Sequence, residues 1–121
     1  MKLNVNEISL DEEDDILILG FKGDGESNYL FLSQNMDEIE LDGKSLYLEV
    51  RDQKHGGYGL IDGLKIDNNE LEFRLNKKGA EIIKSGLIEI LITADDYNKV
   101  YLKLTLQKLF KDSKRLTIIE E

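Results

Sequence analysis

Asp52, His55 and Tyr58 recur at three-residue spacing around a cluster of glycines, and they bring together a carboxylate, an imidazole and a phenol, the groups of an acid-base site. The same segment, His55-Gly56-Gly57-Tyr58-Gly59, has the glycine content of a phosphate cradle, but the Lys-Ser or Lys-Thr ending of a P-loop is missing and no strong helix follows. Asp11, Glu12, Glu13, Asp14 and Asp15 offer five carboxylates for a hard cation, without the spacing, central Gly and distal Glu of an EF-hand loop. His55 is the sole histidine and there is no cysteine, which removes the usual zinc sites. Ser27, Ser33, Ser45, Ser85 and Ser113 stand at no spacing that pairs a nucleophile with His55. The expectation is therefore a protein with no catalytic site, no metal and no cofactor.

The elements that hold the glycine cluster are more informative than its chemistry. Leu46, Leu48 and Val50 alternate with Tyr47 and Glu49, and Leu71, Phe73 and Leu75 alternate with Glu72 and Arg74, so each run buries one face of a strand. Asp67-Asn68-Asn69 supplies a turn before the second of these runs. Between Val50 and the next apolar run, Asp52 to Gly59 reads as a loop, with His55 and Tyr58 the bulky groups near its tip.

Upstream, Leu3 and Val5 mark a first strand that continues out of phase to Ile8 and Leu10 through a bulge. The five acidic residues 11 to 15 read as a solvated loop because like charges repel. Ile16 to Phe21 is apolar on both sides, as in a doubly buried strand, and pairs through the Asp24-Gly25 connector with Tyr29 to Gln34. A second acidic segment, Asp37, Glu38, Glu40 and Asp42, follows. Downstream, Asn76 caps a short helix over 77 to 85 that ends at Gly86, and 87 to 93 is a strand. Asp95 or Asp96 then caps a helix over 97 to 112, whose stripe of Leu102, Leu106, Leu109 and Phe110 faces inward. Tyr97, Val100, Tyr101 and Leu104 make a second apolar patch on that helix. Its favoured place is within the domain's own core, the alternative being self-association. Leu116 to Ile119 adds an edge strand.

At 121 residues the chain forms one domain, residues 1–121, large enough to bury roughly two thirds of its unfolded surface. The formal net charge is −9 and is unevenly placed. Residues 1 to 50 carry 3 Lys or Arg against 13 Asp or Glu, a balance of −10, whereas residues 51 to 121 carry 13 against 12. Such a field repels nucleic acid and anionic membranes and attracts a basic protein. The lack of Cys and of any long apolar run is expected of a cytoplasmic protein. The fold class expected is α+β, an antiparallel sheet of about six strands with two helices packed mainly on one face.

One family resemblance rests on particular segments. Tyr29-Leu30-Phe31-Leu32-Ser33-Gln34 leads to a strand at 46 to 50, then to a glycine-rich segment ending Gly57-Tyr58-Gly59-Leu60-Ile61. After these come Asn69-Glu70-Leu71-Glu72-Phe73-Arg74-Leu75, a short Ala-containing helix at 78 to 85, a strand, and a helix ending Leu106-Gln107-Lys108-Leu109-Phe110. Over about residues 29 to 110 the chain resembles immunity protein family 10 of bacterial polymorphic-toxin systems. The resemblance implies a non-enzymatic inhibitor that binds a cognate toxin domain and occludes its active site or locks it inactive, and the acidic balance of the chain suits a basic toxin. The expected contact residues are His55, Gly56, Gly57 and Tyr58, with Asp11, Glu12, Glu13, Asp14, Asp15, Asp37 and Glu38 as an electrostatic rim. The alternative is a small regulatory or scaffolding module that dimerises through Tyr97, Val100, Tyr101 and Leu104.

Overall fold

The computed structural model describes residues 1–38, 45–110 and 115–119, residue 38 by its backbone alone. It contains two five-stranded sheets rather than the single sheet of about six strands expected from the sequence. Strands β2 (Glu7–Glu13), β3 (Ile16–Lys22), β4 (Tyr29–Asn35), β5 (Tyr47–Val50) and β6 (Asp52–Tyr58) form an antiparallel meander in chain order. The second, mixed sheet has β1 (Lys2–Val5), β7 (Ile61–Asp67), β8 (Glu70–Leu75), β9 (Leu87–Ile92) and β10 (Leu116–Ile119) in the order β1-β9-β8-β7-β10. Its interior pairs are antiparallel and its two edge strands, β1 and β10, run parallel to their neighbours.

The chain changes sheets twice, and both changes alter the sequence reading. At Asn6 it leaves β1 for β2, so the shift of phase between Val5 and Ile8 is a passage between sheets and not a bulge. The second passage lies at Gly59 and Leu60. Gly59 takes φ +67, open to glycine at little cost, and Leu60 is fully buried. The passage is fastened by Asn76, whose side-chain amide donates to the Gly59 carbonyl at 2.7 Å while its backbone N–H donates to Leu60 O at 3.0 Å. Asn76 is also the N-cap of α1 (Lys77–Ile83), its Oδ1 accepting from Gly79 N at 2.8 Å. A Cβ on Gly79 would lie 2.5 Å from Leu60 O, so glycine lets the helix sit against the passage. The helix ends at Lys84 in the left-handed conformation, φ 69, not at Gly86 as expected.

Inward side chains from both sheets join one core, in which Leu19, Phe21, Leu30, Leu32 and Leu48 of the meander meet Leu3, Ile88, Ile90, Leu71 and Phe73 of the mixed sheet. Helix α2 (Lys99–Leu109) is capped by Asn98, whose Oδ1 accepts from Tyr101 N, rather than by Asp95 or Asp96. It buries Leu102, Leu106 and Leu109, with Phe110 behind them, as its stripe predicts. Of the expected span 97 to 112, Tyr97, Asn98 and Phe110 fall outside the helix, and 111 and 112 lie outside the described residues. The second patch is not sandwiched: Val100, Tyr101 and Leu104 are exposed. Tyr97 is set apart from them, half-buried, its hydroxyl donating to Asn69 Oδ1 at 2.6 Å.

Candidate functional site

Directly opposed residues in an antiparallel pair share a face, so the pairing register of the meander maps its solvent side row by row. One row runs Asp11, Ile18, Ser33, Tyr47, Tyr58 across all five strands. The next runs Ser9, Gly20, Phe31, Glu49, Gly56. On either side of these lie Glu13, Ile16 and Asn35, and Glu7, Lys22 and Tyr29. The face therefore carries a band of rings and aliphatic groups, edged by the carboxylates of β2.

The rings form a continuous series. Tyr29 and Phe31 stack at 6.2 Å between centroids, Phe31 and Tyr47 meet at 5.8 Å, and Tyr47 and Tyr58 at 5.1 Å. Tyr58 is 62% exposed, and Ile16 and Ile18 are about two-fifths exposed. These isoleucines correct the doubly buried reading of β3, in which only Leu17, Leu19 and Phe21 face the core. The strand looked apolar on both sides because its outer side is apolar as well.

Glu49 stands amid the rings and is only 9% exposed. Tyr29 donates to one of its oxygens at 2.6 Å and Tyr47 to the other at 2.8 Å. Burial, followed by the bonds to Glu49 and the charge of that carboxylate, pushes the two phenols from 10.0 up to about 12. They thus stay neutral donors throughout the physiological range. Gly56 lies opposite Glu49, and a Cβ on it would fall 2.7 Å from the Tyr47 hydroxyl. At Gly57 the same atom would meet Leu60 at 3.4 Å, an ordinary contact.

The glycine cluster is consequently not a loop but the edge strand β6, preceded by a tight turn in which Arg51 takes φ 64. The acidic run is not a solvated loop either. Asp11, Glu12 and Glu13 belong to edge strand β2, and Asp14 and Asp15, at φ 51 and 66, make the two-residue turn into β3. Charge on an edge strand blocks further strand pairing, so the run of acids is compatible with a strand where it would not be in a sheet interior.

The structure brings Tyr58, Gly56, Asp11 and Glu13 onto this one face. Glu12 pairs with Leu17 on the opposite side of β2, at the sheet's rim. Asp37 is close to the acidic turn, since Met36 N, in the 3₁₀ turn Met36–Glu38, donates to Asp15 O at 2.8 Å. The side chain of Glu38, and Glu40 and Asp42, fall outside the described residues. His55 is half-buried and its Nδ1 has no described partner. The Asp52 carboxylate accepts from Lys54 N at 3.0 Å, and among the described residues no hydrogen bond joins Asp52, His55 and Tyr58. Among those residues, too, no three His, Asp or Glu converge as a metal site, and no helix is long and apolar enough to cross a membrane.

Tyr29, Phe31, Tyr47, Glu49, Ile16 and Ile18 were not among the residues expected to form a site. Their signal was present as a second apolar phase, Tyr29 and Phe31 alternating with Leu30 and Leu32, but only the pairing register shows that the phases of three strands coincide on one face.

The family model described as Immunity protein 10 matches residues 4–100. The chain belongs to the immunity protein 10 family. The matched span of this immunity protein includes β2 to β6 entire, and hence every strand of the ringed face, whereas most of α2 and all of β10 lie beyond it. It starts well before the resemblance read from the sequence, which began at about residue 29. No curated protein matches the chain.

Proposed function

We propose that this protein neutralises a cognate bacterial toxin domain without doing chemistry itself, by seating it on the outer face of the meander sheet and covering or locking the toxin's active site. The observation that carries this reading is the continuous series of rings on the solvent side, half-buried Tyr29, Phe31 and Tyr47 leading to exposed Tyr58, with the exposed Ile16 and Ile18 beside them. Rings dominate the energy of protein interfaces because they bury large areas with few rotatable bonds, and a solvent-facing set of them is unusual on a monomer. Carboxylates along β2 and its turn are suited to steering a basic partner, as a rim of complementary charge raises the encounter rate. The expected contact set thereby moves from the tip of a loop to a sheet face, with Tyr58 and Gly56 at one edge and Asp11 and Glu13 at the other. Glu12, Asp14, Asp15 and Asp37 extend the rim, whereas His55 and Gly57 belong to β6 at the opposite edge of the sheet, Gly57 paired with core-facing Leu48. The complex would form in the cytoplasm of the producing cell.

The test is to express the toxic product of a neighbouring gene with this protein and with its Phe31→Ala and Tyr58→Ala variants. Protection by the wild type that weakens in both variants, each still folded, supports the face. Full protection by both rejects it.

A second reading is favoured by α2, where Val100, Tyr101 and Leu104 are 68%, 54% and 57% exposed. A second copy covering them would make the protein a dimer, as in a regulatory or scaffolding module. Concentration-dependent mass in solution that disappears in Tyr101→Glu supports it, and a constant monomer mass rejects it.

A further inference from the structure

At the centre of the ringed face lies a carboxylate, Glu49, that has no cation beside it among the described residues. Glu49 is almost covered, and among the described residues no Lys or Arg is within ion-pair distance of it; the described ion pair, Lys2 to Glu89 at 3.8 Å, belongs to the other sheet. A buried carboxylate with only neutral partners is costly to desolvate. Tyr29 and Tyr47 each occupy one acceptor site on a different oxygen, and a carboxylate oxygen has a second, so both oxygens keep a free site.

The surroundings suit one kind of group. Phe31 is opposite Glu49 in the register, Tyr29 stacks on Phe31, and Tyr47 closes the other side. The same cross-strand row has glycine at both flanks, Gly20 and Gly56; Ser9 Oγ stands over the first and the Tyr47 hydroxyl over the second, so the Tyr47 ring bounds the pair on that side. In the rows of this face Lys22 is the one described cation, against Glu7, Asp11, Glu13 and Glu49. We propose that Glu49 and the rings of Tyr29, Phe31 and Tyr47 form a cradle for one arginine side chain presented by a basic protein partner. The proposal rests on reading this face as the toxin-binding surface. Arginine fits better than lysine because a planar guanidinium stacks on rings and spans both oxygens of a carboxylate, whereas an ammonium is a point charge held tightly by water. The two phenols fix the carboxylate in place before the partner arrives, which lowers the ordering cost of the contact.

The probe is the toxin domain itself, titrated against wild type, Glu49→Gln and Tyr58→Ala, with each surface Arg and Lys of the toxin also changed to Ala. The expected result is a loss of at least about tenfold in affinity for Glu49→Gln, and a single toxin arginine whose removal costs as much in wild type but little more in Glu49→Gln. Normal affinity of Glu49→Gln alongside weakened binding by Tyr58→Ala overturns the cradle and leaves the face standing. Normal affinity of both overturns the two together. Should Glu49→Gln fail to fold, the toxin variants decide the matter with the wild-type protein: if none of the arginine changes lowers affinity about tenfold, there is no arginine in the cradle.

Discussion

The two sheets are built by the same alternation of inward and outward side chains, yet their solvent sides have little in common. Across the mixed sheet one outward row is Lys2, Glu89, Glu72, Lys65 and Thr117, with charges of both signs, and the next, Asn4, Leu91, Glu70, Asp67 and Ile119, holds two exposed aliphatic side chains apart with two carboxylates between them. Across the meander the corresponding rows carry rings, two isoleucines and a buried carboxylate, with three of their five charged residues, Glu7, Asp11 and Glu13, on one edge strand. A sheet face needs only to be largely polar to remain in water, and the mixed sheet, with its aliphatic groups isolated, has such a surface. The meander holds a contiguous series of rings that solvation alone does not require, which is the ground for reading it as the surface for a partner.

The largest effects expected are on toxin affinity. Phe31→Ala or Tyr58→Ala should each weaken the complex by about 2 kcal/mol or more, as for ring residues that are covered in an interface, measured by titration calorimetry. Glu72→Ala and Lys65→Ala, on the mixed sheet, should leave affinity unchanged and stability within about 0.5 kcal/mol. Equal losses from both pairs would erase the distinction between the faces.

Next comes the glycine edge. Gly56→Ala should destabilise the fold by about 1–3 kcal/mol, because the new methyl is forced into the Tyr47 hydroxyl. Gly57→Ala, facing Leu60 at an ordinary contact distance, should have a much smaller effect in the same denaturant titration. A reversal of that order would show that the phenol is not held over Gly56.

The phenols also predict a dependence on pH. Each is raised in the fold from 10.0 to about 12, so the unfolded chain loses its protons first as pH rises. Their stabilising contribution is complete below pH 10 and is lost as pH climbs to about 12. Thermal unfolding should therefore fall steeply across that window in wild type, and less steeply in Tyr29→Phe. The smallest effect belongs to the rim. Asp11→Asn, Glu13→Gln, Asp14→Asn and Asp15→Asn together should slow association several-fold at low salt and scarcely at all at high salt, by stopped-flow mixing.

Much of the fold was legible in the residues. The runs at Leu46–Val50 and Leu71–Leu75, the Asn76 cap, the stripe of α2 and the edge strand at Leu116–Ile119 all follow local periodicity or capping chemistry, which neighbours in sequence determine. The division into two sheets was not legible, because nothing local at Asn6 or at Gly59–Leu60 says which strand the next one will pair with. That depends on partners far along the chain, such as β9 for β1. The acidic strand and the glycine strand were misread for the same reason. Their composition disfavours an isolated strand, and only their places at the two edges of the meander make it tolerable. Tyr58, Gly56 and the acids of β2, named from sequence, lie on the candidate face. Tyr29, Phe31, Tyr47 and Glu49 were not named, because they become one surface only through register.

Hydroxyl-radical footprinting of the toxin complex against the free protein distinguishes the two faces. Tyr58, Phe31 and Ile18 should lose reactivity on binding while Leu91, on the mixed sheet, and Tyr101, on α2, keep theirs. Persistent reactivity of Tyr58 and Ile18, with protection of Leu91 or Tyr101, would contradict the meander as the toxin-binding face.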